Sequence, residues 1–327
     1  ETDAAGRQLG WFLSLGWAVY LVSLAAWIAL QKREPIATLS WILALAAIPI
    51  LGFVVYYLFG PRRIRRQRLK RLRARTHMCD ALPEMRNVSS EDAALFRLAQ
   101  AGTGLPPARA SDARLLVGGA AKFDALFAAV ASARHHVHLE YYIFEPDGIG
   151  TRLRDALIER ARAGVRVRLL LDAVGSARAG TRFLAPLKAA GAEVCWFHPF
   201  LLRWIRRPRI NLRNHRKLAV IDGQLAFTGG INITDDQDER LSESAYRDLH
   251  LQLEGSVVRW LQVVFVEDWF YASGVALRDE SLWPETTPGR IPLAVLASGP
   301  DSPWESLHRV QVDAIVRANH RVWLVTP

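Results

Sequence analysis

Two long stretches of the chain are apolar without a single charge, Leu9–Leu30 and Ile36–Phe59, of 22 and 24 residues. Either is long enough to cross the roughly 30 Å hydrocarbon core of a bilayer as a helix. Both are predicted to be transmembrane helices, 9–30 and 36–59. Trp11, Trp27, Trp41, Tyr56 and Tyr57 lie toward their ends, where amphipathic rings favour the interface. A cleaved signal peptide followed by a buried helix fits less well: the first run is too long, lacks a small-residue cleavage site, and is followed by a second run. Gln31–Pro35 leaves room only for a hairpin turn between the two.

Beyond Gly102-Thr-Gly-Leu-Pro-Pro107 the pattern changes to short apolar strands alternating with amphipathic helices. Strands are predicted at Leu115–Val117, Val137–Phe144, Val165–Asp172 and Glu193–Phe197, and helices at Lys122–Ser132, Arg152–Ala163 and Phe183–Ala190. Lys217–Ile221 and Leu225–Thr228 read as a hairpin around Asp222-Gly223. Such alternation predicts an α/β sandwich.

A weak internal repeat runs through this part. Leu293–Ala297 resembles Leu115–Gly119, and residues 314–325 align without gaps on residues 129–140 at an offset of 185. A second copy of the fold is therefore expected to begin near residue 291 and to break off at Pro327. With Glu1 in place of Met at the start, the expectation is a piece of a longer protein. The expected organisation is membrane helices in 1–60, a basic juxtamembrane segment and linker in 61–110, a first repeat in 111–290, and the start of a second in 291–327.

Charge changes the picture in one place. The formal net charge of +10 is almost wholly accounted for by nine Arg and Lys residues between Arg62 and Arg75, a stretch with no acid. A basic partner surface of this kind suits nucleic acid or an anionic membrane. Its position directly after the second apolar run favours the membrane and places that end in the cytoplasm by the positive-inside rule. Only Cys79 and Cys195 occur, so no disulfide framework is implied. Phe200–Arg209 mixes large apolar residues with arginines and is either a solvated loop or an interfacial segment.

The chemistry concentrates in Asn214-His-Arg-Lys-Leu-Ala-Val-Ile-Asp222 followed by Gly229-Gly-Ile-Asn232. On a strand, His215 and Lys217 are two apart and share a face. A neutral imidazole can attack a phosphodiester near pH 7, while an ammonium and an Asn amide stabilise charge on the phosphoryl oxygens. Such a site needs no metal or other cofactor. Only 5 of the 42 basic residues are lysine, which gives Lys217 some weight. His135, His136 and His138 could suggest a metal site, but no Cys or acid is spaced to complete one.

His215-x-Lys217-x4-Asp222-x6-Gly-Gly-x-Asn232 resembles the phospholipase D signature. With the two apolar runs, Thr38-Leu-Ser-Trp-Ile-Leu, Tyr57-Leu-Phe-Gly60 and the Arg247–His250 strand, the chain resembles bacterial cardiolipin synthases along nearly its whole length. The resemblance implies a phospholipase D-like mixed-sheet α/β sandwich preceded by two transmembrane helices, in the bacterial inner membrane with its catalytic domain cytoplasmic. It implies a phosphatidyltransferase that uses phosphatidylglycerol, touches the anionic membrane surface and does not bind nucleic acid. His215 would be the nucleophile and Lys217 a phosphate ligand, with Asp222 structural. Asn232 would contact phosphate, and Asp248 matches a carboxylate that orients the histidine. It further implies a second motif whose histidine, at the repeat offset, would fall near position 400 and act as general acid; the piece alone is then expected to be poorly active. A hydrolase using water, and a non-catalytic membrane scaffold, remain the rivals.

Overall fold

The computed structural model describes residues 93–197, 213–299 except 246 and 288, and 306–324, with scattered positions between 11 and 43. The chain divides into two compact units, 1–63 with 201–211 and 64–200 with 212–327. Of the first unit, only residues among 11–26 and 39–43 are described, and they are helical. No described helix is long and apolar enough to cross a membrane. Most of 9–30 and 36–59, all of the basic run 62–75 and the segment 200–209 lie outside the described residues.

The second unit is built on one eight-stranded sheet. Its elements are α1 (Ala93–Thr103), β1 (Ala108–Val117), α2 (Gly119–Ser132), β2 (His136–Tyr141), α3 (Gly148–Arg162), β3 (Arg166–Asp172), α4 (Thr181–Ala189), β4 (Glu193–Phe197), β5 (Lys217–Ile221), β6 (Leu225–Gly229), β7 (Leu249–Gly255), α5 (Val257–Ser273), β8 (Ile291–Leu293) and α6 (Ser306–Arg317). The spatial order is β4-β3-β2-β5-β6-β7-β1-β8. The pairs β2–β3 and β3–β4 are parallel and all others antiparallel.

Strand alternation sorts side chains onto two covered faces. Val137, Leu139 and Tyr141 of β2 and Ala219 and Ile221 of β5 join one core with α2, α3 and α4. Leu218 and Val220 of β5 join a second core built around α5. Because both faces of β5 are covered, all five of its residues are buried, which is why Leu218–Ile221 reads as an unbroken apolar run. The turn after it is tight: Asp222 at φ 53° and Gly223 at φ 68° are both left-handed, and Gln224 donates its amide to the Ile221 carbonyl at 3.1 Å. Asp147 starts α3 by accepting the amide of Gly150 at 3.0 Å.

Several expectations are corrected. The segment 61–110 is not linker throughout, since α1 and the first residues of β1 fall in it; β1 begins seven residues before Leu115. The strand expected at Arg247–His250 begins at Leu249 and runs to Gly255. Ile291–Leu293 pairs with Ala108–Ala110 at the edge of the sheet, and Val295 and Ala297 pack on the α5 core. Residues 321–324, aligned on the β2 sequence, form no strand, and Val322, Trp323 and Leu324 are exposed.

Candidate active site

His215 and Lys217 stand where the chain enters β5, beside the end of β2, with Tyr141 opposite Lys217. Lys217 is buried while His215 is exposed. Lys217 Nζ donates to the His215 carbonyl at 2.9 Å and lies 3.3 Å from His215 Nδ1. Tyr142 underlies both: its ring centroid is 4.2 Å from the imidazole and 5.2 Å from the ammonium. Partial burial, reinforced by the Lys217 charge and opposed by Asp172, lowers the His215 pKa below 6.5, so the ring is neutral at pH 7. Burial also brings Lys217 down to about 8, against the raising effect of Asp248. The result is an accessible imidazole beside an ammonium that has shed most of its water.

The glycines of the motif are required by close approach. A side chain on Gly229 would run into the Leu249 carbonyl and His250, and one on Gly230 would displace the Asp248 carboxylate. Their absence lets the chain after β6 lie flat on the start of β7 and sets Asn232 behind it. Asn232 is buried; its Oδ1 accepts the amide of Ile143 at 3.1 Å, which leaves the NH₂ end as the part that can serve a ligand. Its own amide donates to Gln237 Oε1.

Asp222 is far along β5 from this cluster. Its carboxylate accepts three backbone amides, of Arg134 and His135 at 2.8 Å and His136 at 2.9 Å. It joins the α2–β2 turn to the hairpin. Asp248 accepts the amide of Leu249 at 2.6 Å and raises the pKa of Lys217, while Asp172 raises that of His215.

Some neighbours of the site are not evident from the motif. Lys122 sits on the buried stripe of α2, fully buried, with Nζ donating to the Asn232 carbonyl at 3.1 Å and 4.1 Å from the Phe123 centroid. Burial holds its pKa well below 10.5. His250 is buried nearby with both ring nitrogens unpartnered, kept neutral by burial and by Lys122 and Lys217. The same scarcity of lysine that singles out Lys217 applies to Lys122. On the α5 face of the sheet a cavity of about 330 Å³ is walled by Arg216, Leu218, Leu253, Leu261 and Val264 and also touches His215 and Lys217 at its rim.

Among the described residues no group of three or more His, Cys, Asp or Glu could hold a metal ion. His135, His136 and His138 stack in series, with Gln262 on His138 at 2.8 Å and the Arg166 and Arg168 guanidinia alongside. Cations in that position oppose a further one.

Sheet and cluster together define a phospholipase D-like α/β protein. Residues 126–269 match the family described as "Cardiolipin synthase, PLD-like domain", and residues 15–61 match "Phospholipase_D-nuclease N-terminal". Cardiolipin synthase 1 of Bacillus anthracis is 34% identical over 97% of this chain and 66% of its own length. A cardiolipin synthase of Geobacillus sp. (strain WCH70) is 36% identical over 98% of this chain and 66% of its own. The chain thus belongs to the phospholipase D-like family of bacterial cardiolipin synthases, and it spans about two thirds of the length of these relatives.

Proposed function

We propose that the protein is a membrane-bound phosphatidyltransferase that makes cardiolipin from phosphatidylglycerol. The observation that carries this reading is the exposed, neutral imidazole of His215 with the Lys217 ammonium 3.3 Å from its Nδ1. In the free protein Lys217 occupies the Nδ1 lone pair. A phosphodiester that draws Nζ onto its oxygens frees the ring to attack phosphorus. The new P–N bond replaces the P–O bond to glycerol, which leaves as the alcohol with a proton from a general acid. The hydroxyl of a second phosphatidylglycerol then attacks the phosphorus of the phosphatidyl-histidine, gives its proton to the now deprotonated general acid, and the P–N bond breaks to restore His215. In the relatives' family pattern the general acid is a second histidine, expected from the repeat offset near position 400. Lys217 and the Asn232 NH₂ are assigned to the phosphoryl oxygens, and Lys122 holds Asn232 in place from behind.

The membrane part of the reading rests on sequence. Helices at 9–30 and 36–59 cross the inner membrane, 61–75 faces anionic headgroups on the cytoplasmic side, and the catalytic unit, 111–290 in the first repeat, is cytoplasmic. Two measurements test the whole. The full-length protein in phosphatidylglycerol vesicles should release glycerol and form cardiolipin in equal amounts. Phosphatidic acid as the main product would make water the acceptor and the protein a hydrolase; neither product would leave the scaffold reading. In intact spheroplasts a membrane-impermeant thiol reagent should spare Cys79 and label a cysteine placed at Glu34. Labelling of Cys79 without permeabilisation would reverse the orientation.

A further inference from the structure

Tyr142 follows β2 directly, and its ring is the surface on which His215 and Lys217 rest. The ring centroid lies 4.2 Å from that of the imidazole, at an interplanar angle of 42°, and 5.2 Å from Lys217 Nζ. At that distance the electron-rich face of an aromatic ring attracts a cation.

The ring is held in place by its neighbours. Ser176, buried in the loop between β3 and α4, donates its hydroxyl to the Tyr142 carbonyl at 2.9 Å and accepts the Phe144 amide at 3.0 Å. Gly175 lies against the ring edge: a methyl group there would fall on the Tyr142 carbonyl and 2.8 Å from Cε2. Asp172 closes the turn that brings Gly175 in, its Oδ1 accepting the amides of Val174 at 2.9 Å and Gly175 at 3.0 Å. The other oxygen, Oδ2, accepts the amide of Asn214, next to the nucleophile, at 3.0 Å. On the far side of Tyr142 the Ile143 amide donates to Asn232 Oδ1. One short segment therefore carries both the ring under His215 and Lys217 and an anchor of Asn232. A surface fixed in this way stabilises charge without first having to reorganise.

Two positive charges concern this ring. Burial strips water from the Lys217 ammonium, and the π face replaces part of that solvation. The second charge develops in the reaction. As the imidazole lone pair becomes the P–N bond, the electron pair of the breaking P–O bond leaves with the glycerol oxygen, and the imidazole becomes positive. The other titratable groups facing Lys217 are Asp248 ahead of β7, which favours the ammonium, and His215 on its own strand. His250 on β7 is kept neutral by burial, Lys122 of α2 and Lys217, and Tyr141 pairs with Lys217 across β2.

We propose that the Tyr142 ring is a cation-binding platform of the active site, holding the His215 imidazole in place and stabilising both the Lys217 ammonium and the positive charge that the imidazole acquires on attack. Tyr142 is a positioning residue that acts through His215 and Lys217. Its role in turnover rests on the phosphatidyl-transfer reading above, whereas its hold on the Lys217 charge does not.

Fluorine separates this role from simple packing, because it drains the π face while leaving the shape of the ring nearly unchanged. In the full-length protein Tyr142→Phe should form the adduct within about threefold of the wild type, with its alkaline limb still near pH 8. Mono-, di- and trifluorinated phenylalanines in place of Tyr142 should lower the rate stepwise, to about a tenth for the last. The alkaline limb should move stepwise to lower pH, by about half a unit or more in total, because the ammonium loses its partner. Tyr142→Leu should be slower still, by about 10²-fold. The ε-carbon resonance of isotopically labelled lysine, assigned by its loss in Lys217→Arg, reads the Lys217 titration with no turnover and should follow the same steps. A lysine titration that stays fixed along the fluorinated series would overturn the platform, whether or not any transfer is observed. Tyr142→Phe as impaired as Tyr142→Leu would also overturn it, by assigning the role to the hydroxyl. If Tyr142→Leu fails to fold, the fluorinated series still decides.

Discussion

His215→Ala in the full-length enzyme should lose cardiolipin formation by at least ~10⁴-fold while folding as the wild type does. Removal of a nucleophile leaves only the rate that binding and charge stabilisation can provide. Folding should survive because the ring is exposed and rests on the Tyr142 face and the Lys217 amine, so its loss should cost no more than about 1 kcal/mol. The decisive measurement is covalent. With phosphatidylglycerol labelled at phosphorus and a quench into mildly alkaline denaturant, where a P–N bond survives, wild-type protein should retain label and the alanine variant none. Label persisting in His215→Ala would move the nucleophile elsewhere, and with it the roles assigned to Lys217 and Asn232.

What the sequence displayed most plainly was what is local. The β5–β6 hairpin is legible to within a residue because Asp222-Gly223 supplies two left-handed positions between two apolar runs, and β4 is legible because Ala190-Gly191 ends the helix before it. Helix α5 has no counterpart in the sequence reading. Eleven of its residues are buried, including Val257, Val258, Val263, Val264 and Val266, so it carries no polar face to give a period of 3.6, and its valines favour strand. Seven residues of β1 went unread because Arg109, Ser111, Asp112 and Arg114 interrupt the apolar run on a strand near the sheet edge. The site divides in the same way. His215 and Lys217 declare themselves two residues apart, but Glu140 reaches Asn214 only through the β2–β5 pairing, and Asp268 reaches Arg216 only because α5 crosses beneath both strands.

Lys217 should govern the alkaline side of the reaction. Its ammonium is the charge that draws a phosphodiester toward His215, and burial has already lowered its pKa to about 8. Above that value the amine becomes neutral, so the rate of adduct formation should fall as pH rises through about 8. On the acid side the requirement is a neutral His215, whose pKa lies below 6.5 because partial burial and the Lys217 charge both disfavour the imidazolium. The step should therefore persist below pH 6.5 and fail only at lower pH. Lys217→Met should lower kcat/KM by about 10²–10³, the cost of one lost donor to a developing anion, and should move the acid limb upward by removing the cation beside the ring. Lys217→Arg keeps a charge that no accessible pH removes but not the compact geometry at 3.3 Å from Nδ1. It should be slow, yet its alkaline limb should disappear. Single-turnover adduct formation followed from about pH 5 to about pH 10 at constant ionic strength distinguishes these outcomes. An alkaline limb unchanged in Lys217→Arg would assign that limb to another group and leave Lys217 a ligand without control of the pH profile.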